Sequence, residues 1–531
     1  MKRAVKRAAR KRSAAVLAAL TVLCLLPATP PSAARTPGPD VTRPLPTTAA
    51  ERRTDDRLHA LVGDPVRRGA FFRALPKGGD LHNHLAGAVR TETLIGFAVE
   101  AGLCVDEATM TAVAPPCGPG RRPAVDTTTD PAFRDALVRA WSMEDFPPGQ
   151  SGHDHFFATF GKFALATRGN RGRMLADVAG TLARHNQFYL ETMDGFAVAG
   201  AAALAAGTGY DPDLDRMHRA LLADGRMDRL VAQARRETDA AEAQFRTSAR
   251  CDTPAPDPGC SLTVRWIPHV LRESTPQHVF TQMVLAMRLA ERDPRHVAVN
   301  LLQPEDGPIA LRDYRLHMRM LAHLRGLYPR AHVTLHAGEL VPGLVKPEHL
   351  TFHIGDAVRT ARAERIGHGV DLRHEDGTRQ LLRTMARREV AVETPLTSNA
   401  QILGVFGAEH PFMTYRRHGV PVVLATDDPG VSRITISHEY ERAALTYGLS
   451  YPELKDLARA SLEYAFLPGR SLWSGNPTRD GYRPDGPCRA ERPGTSRPGP
   501  SCAAFLAGSP KAAVQWRQEA AFTVFEAREG R

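Results

Sequence analysis

Four short stretches of this chain put metal-ligating or proton-transferring side chains where a strand-like run gives out. They are Asp80-Leu-His82-Asn-His84, Thr334-Leu-His336-Ala-Gly-Glu339, Arg365-Ile-Gly-His368-Gly and Ala425-Thr-Asp427-Asp428-Pro429. Any one of them alone is commonplace on surfaces and in cores. Four at four strand ends describe a single site. His82 and His84 stand one residue apart, so on an extended strand both imidazoles point to the same side. With His336 and Asp427 they make three imidazoles and one carboxylate, a set that suits Zn²⁺ with a position left open for water. Catalytic zinc usually has three protein ligands, so one of the four is expected to be longer and weaker. The fourth strand, His296-Val-Ala-Val-Asn300-Leu-Leu-Gln303, has no lysine to bridge a second metal, so one zinc per chain is expected.

Side chains this far apart in sequence meet only if the fold gathers strand ends on one face. The β-type runs are Gly79–His82, Phe188–Thr192, Leu262–Ile267, His296–Leu301, His332–His336, Arg365–His368, Val390–Glu393 and Val422–Thr426, with amphipathic segments between most of them. Eight strands, each followed by a helix, predict an α/β fold, a (β/α)₈ TIM barrel whose strand C-terminal ends converge on the site. The competing doubly wound sheet lacks a Gly-rich phosphate loop after its first strand. The barrel domain is expected over 54–531. Loop-rich or helical insertions are expected at about 101–148 and 199–260, the second with one polar helix, Leu214–Phe245. A C-terminal helical extension is expected at about 467–531.

At 531 residues, 43% hydrophobic and 24% charged, the composition is globular. The net charge of +11 falls to +4 without the seven Lys/Arg of residues 1–34, and no basic stripe with interleaved aromatics remains. Nucleic acid is therefore not an expected partner. Residues 1–34 read as a signal peptide: a basic n-region, an apolar Ala14–Leu26 too short to be a span, and small residues at Ser32-Ala-Ala34. A disordered leader is expected at 35–53. The chain is then secreted, extracellular or periplasmic, with no stable membrane anchor after cleavage; an uncleaved anchor is the competing reading. The remaining cysteines form three sequence-local pairs, Cys104/Cys117, Cys251/Cys260 and Cys488/Cys502, each bracketing a Pro/Gly-rich loop. Local disulfides in an oxidising compartment are expected. The oligomeric state is left open, a homodimer included.

His82-Asn-His84, His336-Ala-Gly-Glu339, Gly367-His368-Gly369, Glu393-Thr-Pro395-Leu-Thr-Ser398-Asn399 and Thr426-Asp427-Asp428-Pro429 resemble, in order, the motifs of adenosine deaminases. Leu75-Pro-Lys-Gly-Gly and the export signal look most like the secreted branch, the adenosine deaminase growth factors. The resemblance spans roughly Leu75 to Phe466. It implies zinc held by His82, His84, His336 and Asp427, the last also counted as catalytic. It implies that Glu339 protonates N1 of a 6-aminopurine, His368 orients the attacking hydroxide, and Asp428 holds N7. Gly338 would keep the chain small where the ring lies close, and Phe156, Phe157 and Phe160 are candidates for the pocket wall. The implied reaction takes a purine nucleoside to its 6-oxo product and ammonia.

Three positions depart from that pattern. Leu85-Ala86 stand where an aspartate usually reaches the ribose, Gln303 where a glycine usually meets N3, and Thr394 where cysteine is common. The departures leave substrate identity open, not reaction type. Two other readings stand beside this one: a growth-factor-like binding protein on a deaminase scaffold, and a deaminase or amidohydrolase of another substrate.

Overall fold

The computed structural model describes residues 47–147 and 149–531. The expected signal peptide and the leader up to residue 46 lie outside the described residues. The end of the expected leader is not disordered, because a helix runs Ala49–Ala60. Thr48 Oγ1 accepts the Glu51 N–H at 3.1 Å and the Glu51 carboxylate accepts the Thr48 N–H at 2.8 Å. This reciprocal cap satisfies two donors that a helix start otherwise leaves unpaired. Lys455 Nζ, 2.8 Å from Glu51 Oε1, pins the helix to the body of the protein.

Eight parallel strands form the barrel: β1 (Gly78–Asp80), β2 (Gln187–Asp194), β3 (Thr263–Leu271), β4 (Ala298–Leu302), β5 (His332–Ala337), β6 (Arg365–His368), β7 (Ala391–Thr394) and β8 (Val422–Leu424). They lie side by side in chain order. The seam between β8 and β1 closes just past their ends, where Asp427 donates its N–H to the His82 carbonyl at 2.9 Å and accepts that of His84 at 3.0 Å. The strands form because β-branched and aliphatic residues alternate two destinations. In β5, Val333 and Leu335 join the apolar core beneath the helices, while Thr334 and His336 turn inward to bond Glu393 and Asn300. Below the site, Arg365 lies fully buried between the carboxylates of Glu191 and Glu393, with the Phe466 ring 3.7 Å from its guanidinium carbon. Removing one partner from such a buried pair typically costs about 3–5 kcal/mol, so this network holds the strands in one arrangement.

The segments outside the barrel repeat are more ordered than the sequence suggested. Residues 101–148 contain an antiparallel sheet of Cys104–Asp106 with Thr111–Val113 on one side and Arg121–Pro123 on the other. Asp106 makes the first hairpin by accepting from the Thr109 backbone and hydroxyl at 3.0 and 2.8 Å. The single helix expected at Leu214–Phe245 is two, Leu214–Leu222 and Arg226–Ser248. Asp224 and Gly225 at the break have φ of 56° and 65°, which no helix accommodates. The three cysteine pairs are joined as expected, with Cα–Cα separations of 5.5, 5.5 and 4.7 Å. The C-terminal helix Pro510–Glu529 docks through Val514, Trp516, Phe522 and Phe525. The helix Gly152–Thr167 spans part of the barrel's C-terminal face: it packs on the Leu396–Leu403 helix, and His153 Nε2 lies 3.1 Å from Asp306 Oδ1.

Candidate metal centre and active site

The strand ends bring four donor atoms into a ring. His82 Nε2 lies 3.1 Å from His336 Nε2, which lies 3.3 Å from His84 Nε2. Asp427 Oδ1 closes the ring, 3.0 Å from His84 Nε2 and 3.5 Å from His82 Nε2. Atoms bound about 2.0–2.1 Å from one ion at angles near 90–110° stand roughly 2.9–3.4 Å apart; three of the edges fall in that range, and the His82–Asp427 edge, at 3.5 Å, is slightly longer. The outward faces of the rings show which atoms are free to bind. His82 Nδ1 is 2.6 Å from Glu393 Oε2, and His336 Nδ1 is 2.9 Å from Asn300 Oδ1. Each Nδ1–H is thereby committed to an acceptor, so both Nε2 atoms present lone pairs. Two lone pairs facing each other at 3.1 Å repel unless a proton or a metal ion stands between them. The donor set therefore fits a divalent metal ion. Burial, and then the neighbouring His82 and His84, push the His336 pKa well below the usual range, keeping it the neutral imidazole a metal needs.

The surroundings hold each donor in place. Burial alone would raise the Glu393 pKa, but Arg365 and His82 outweigh it and hold the carboxylate down to about 2. Gly367 lies beneath the His82 ring, and a Cβ there would stand 2.5 Å from His82 Cε1. Ser398 Oγ donates to Asp427 Oδ2 at 2.5 Å. Three non-glycine residues at the barrel mouth take left-handed backbone angles: Gln303 (φ 83°), His368 (φ 67°) and Asp427 (φ 61°). Such residues cost about 1–3 kcal/mol each and persist where the surroundings over-determine them.

Glu339 and Asp428 are the other buried carboxyls at the ring. Burial, with Asp427 adding repulsion, raises Glu339 to about 7, against the pull of His368. Asp428 is pushed well above the usual carboxylate range by burial and by Asp427, and its Oδ1 has no hydrogen-bond partner among the described residues. Both carboxyls are therefore available as protonated donors at neutral pH. The turn carrying Glu339 is held by Glu305, which accepts the N–H groups of Gly338 and Glu339 at 3.1 and 2.9 Å and lies 2.6 Å from His353 Nδ1. His368 stands on the far side, its Nδ1 2.8 Å from the Asn399 carboxamide and 3.6 Å from Glu339 Oε1.

Gly338 has φ 77°, and a Cβ on it would meet Asp371 Oδ1 at 2.4 Å and Ile354 at 2.8 Å, so its small size answers to the packing behind the turn. The Gln303 side chain is turned onto the neighbouring loop. Its Oε1 accepts the Glu273 N–H at 2.9 Å, while its carbonyl accepts from Arg272 Nε at 2.7 Å. Ala86 lies half-buried on the short helix Leu85–Ala88 that follows the second histidine. In the same helix Gly87 faces Asp428 so closely that a Cβ would fall 1.7 Å from Asp428 Oδ1. Phe156 is buried in the main apolar core, with Phe157 and Phe160 packed against it. The positions of Gly87, Arg272, Glu305 and Asn399 at the site were not legible in the sequence. The inward position of Glu393 in its strand and of Asn300 in the fourth was the one available signal.

Residues 219–471 match the adenosine deaminase family model. That span holds His336, Glu339, His368, Asp427 and Asp428; His82 and His84 precede it. The chain is 40% identical over 137 residues, 26% of its length, to the adenosine deaminase of Escherichia coli strain SE11, and spans 38% of that protein. A structure titled as the apo N6-methyl-AMP deaminase of Arabidopsis thaliana is similar with 21% identity, covering 75% of this chain and 94% of that one, with a TM-score of 0.49. The adenine deaminase of Arthrobacter aurescens is similar with 15% identity over 74% and 94% of the two chains, with a TM-score of 0.47.

Proposed function

We propose that this chain, which belongs to the adenosine deaminase family, is a zinc-dependent hydrolase that removes the 6-amino group of adenosine or a related 6-aminopurine nucleoside. The observation that carries this reading is the pair of buried carboxyls, Glu339 and Asp428, beside the four-donor ring. A neutral purine offers ring nitrogens that accept hydrogen bonds, and protonated Glu339 and Asp428 are donors set to meet two of them. A binding scaffold would need neither Glu339 nor His368 beside the metal ligands.

His82, His84, His336 and Asp427 would hold the ion. When bound, Zn²⁺ supplies Lewis acidity that brings the pKa of a water molecule down toward neutrality. Glu339 donates its proton to N1, which draws electrons from C6 and makes that carbon electrophilic. Asp428 donates to N7 and fixes the ring in the plane between the two carboxyls. His368 faces the oxygen that adds to C6 and stabilises the charge that develops there. Of the two protons of the adding water, one restores Glu339 and the other passes to the amino group, so the C6–N bond breaks with ammonia leaving and a 6-oxo purine that carries hydrogen on N1 remaining. On the sugar side Ala86 offers no acceptor, so the ribose is read more loosely than the base.

We further propose export of the chain. Three closed cysteine pairs support an oxidising compartment, where such bonds persist. The test of the catalytic reading is a panel of adenosine, 2′-deoxyadenosine, 5′-deoxyadenosine, AMP and adenine, each offered to zinc-loaded protein while ammonia release is followed. Turnover of the nucleosides is expected. Failure to release ammonia from any 6-aminopurine would overturn the reading.

A further inference from the structure

Outside the reacting groups, one chain of buried polar contacts ends on His368. His368 Nδ1 is 2.8 Å from one end of the Asn399 carboxamide. The other end is 2.8 Å from His410 Nε2, and His410 Nδ1 is 3.1 Å from the backbone nitrogen of Phe412. All three side chains are buried. A backbone N–H can only donate, and Phe412 begins the helix Phe412–Arg417, where N–H groups have no partner within the helix.

We infer that Asn399 and His410 fix the polarity of His368, so that its Nε2 carries the hydrogen and faces the reacting centre as a donor. The Phe412 N–H makes His410 Nδ1 an acceptor. Burial pushes the His410 pKa down to about 3, so the ring is neutral and its one hydrogen sits on Nε2. With the carboxamide nitrogen turned to His410, two donors would face each other. The two ends of a carboxamide have the same shape and are told apart by hydrogen-bond polarity. The Asn399 oxygen therefore belongs toward His410 and its nitrogen toward His368. Asn399 then donates to His368 Nδ1, and the hydrogen of that ring is left on Nε2. This nitrogen has no partner among the described residues, and a ring nitrogen of His368 lies within 4.8 Å of donor atoms of His82, His336 and Asp427. Glu339 Oε1, at 3.6 Å from Nδ1, is too far to compete for it.

In this tautomer Nε2 has no lone pair. His368 donates a hydrogen bond to the oxygen that adds to C6, and it takes no proton from it. Asn399 and His410 are positioning residues, acting through His368. The activity part of this inference rests on the proposed deaminase reading; the tautomer does not.

The test is ¹⁵N spectroscopy of the full chain with labelled histidine, metal-free and zinc-loaded, with His368 identified by its loss in His368→Asn. A pyrrole-type Nε2 and a pyridine-type Nδ1 are expected. The reverse pattern, or two protonated nitrogens, overturns the inference even if the protein is an active deaminase. The expected pattern in a protein without deaminase activity overturns only the functional reading. In the active enzyme Asn399→Asp, which can only accept, should lower kcat by at least ~10²-fold while KM stays within about threefold, the scale for loss of one donor to developing charge. His410→Phe should do the same, and His410→Gln, which keeps one donor and one acceptor, should recover to within about tenfold of wild type. A folded, zinc-loaded His410→Phe with wild-type kcat would refute the relay.

Discussion

Gly87→Ala adds one methyl group, and the structure says where it goes. The new Cβ would lie 1.7 Å from Asp428 Oδ1, where ordinary contact begins at 3.4 Å. Gly87 is helical, in Leu85–Ala88, and is not among the glycines with positive φ, so alanine brings no backbone strain. The carboxyl of Asp428 must retreat by about half that contact distance, which takes it out of reach of a purine nitrogen. A hydrogen bond to a group of this kind is worth about 1.5–3 kcal/mol, or roughly 10- to 150-fold in kcat/KM. The ligand ring is untouched, so zinc content should match wild type. Steady-state kinetics on adenosine with metal analysis of the same preparation measures both. The control is Asp428→Asn, whose amide replaces the protonated carboxyl as a donor and should stay within about tenfold of wild type, while Asp428→Ala falls with Gly87→Ala. A zinc-loaded Gly87→Ala enzyme with wild-type kcat/KM would show that Asp428 does not hold the base.

Glu339→Gln should keep the fold and the zinc yet lose at least ~10²-fold in kcat, because an amide cannot deliver the proton to N1; metal analysis beside the kinetics checks this. Glu439 tests pH dependence away from the metal. Burial raises it from 4.5 to about 7, although it accepts the Thr397 N–H at 3.2 Å. The folded chain thus holds a proton that the unfolded chain releases. The stabilisation is full below pH 4.5 and is lost as pH rises through about 7, up to about 3 kcal/mol. Unfolding of wild type and Glu439→Gln at pH 5 and pH 8 should show a smaller fall for the variant; equal falls would refute the assignment. On the sugar side, 5′-deoxyadenosine should react within about tenfold of adenosine, and Ala86→Asp should favour the intact ribose. A hundredfold preference of wild type for adenosine would mean that another residue reads the 5′-hydroxyl.

Much of this arrangement was legible because barrel strands are short apolar runs that end in polar residues. Each of the eight expected strands overlaps an observed one, and His82, His84, His336 and Asp427 meet as their positions at strand ends implied. Other features were hidden for physical reasons. The capping box at Thr48 and Glu51 sits beside a Pro/Thr-rich stretch whose composition reads as disorder. Asp224 takes a left-handed angle that its side chain does not announce. Gln303 does the same and, in doing so, turns its amide onto the next loop. The role of Glu305 depends on folding back over a turn more than thirty residues away, and Asn399 and His410 acquire theirs only through contacts across the barrel mouth. Non-local polar contacts of this kind leave no periodicity to read.

In the proposed function one zinc ion, held by His82, His84, His336 and Asp427, supports hydrolytic deamination of a 6-aminopurine nucleoside. Chelator-stripped protein titrated with Zn²⁺ while ammonia release from adenosine is followed tests it most directly. Activity should rise linearly and break at one equivalent per chain, and His336→Ala should neither retain the ion nor turn over substrate. Full activity in the stripped protein, or a break at two equivalents, would contradict the account.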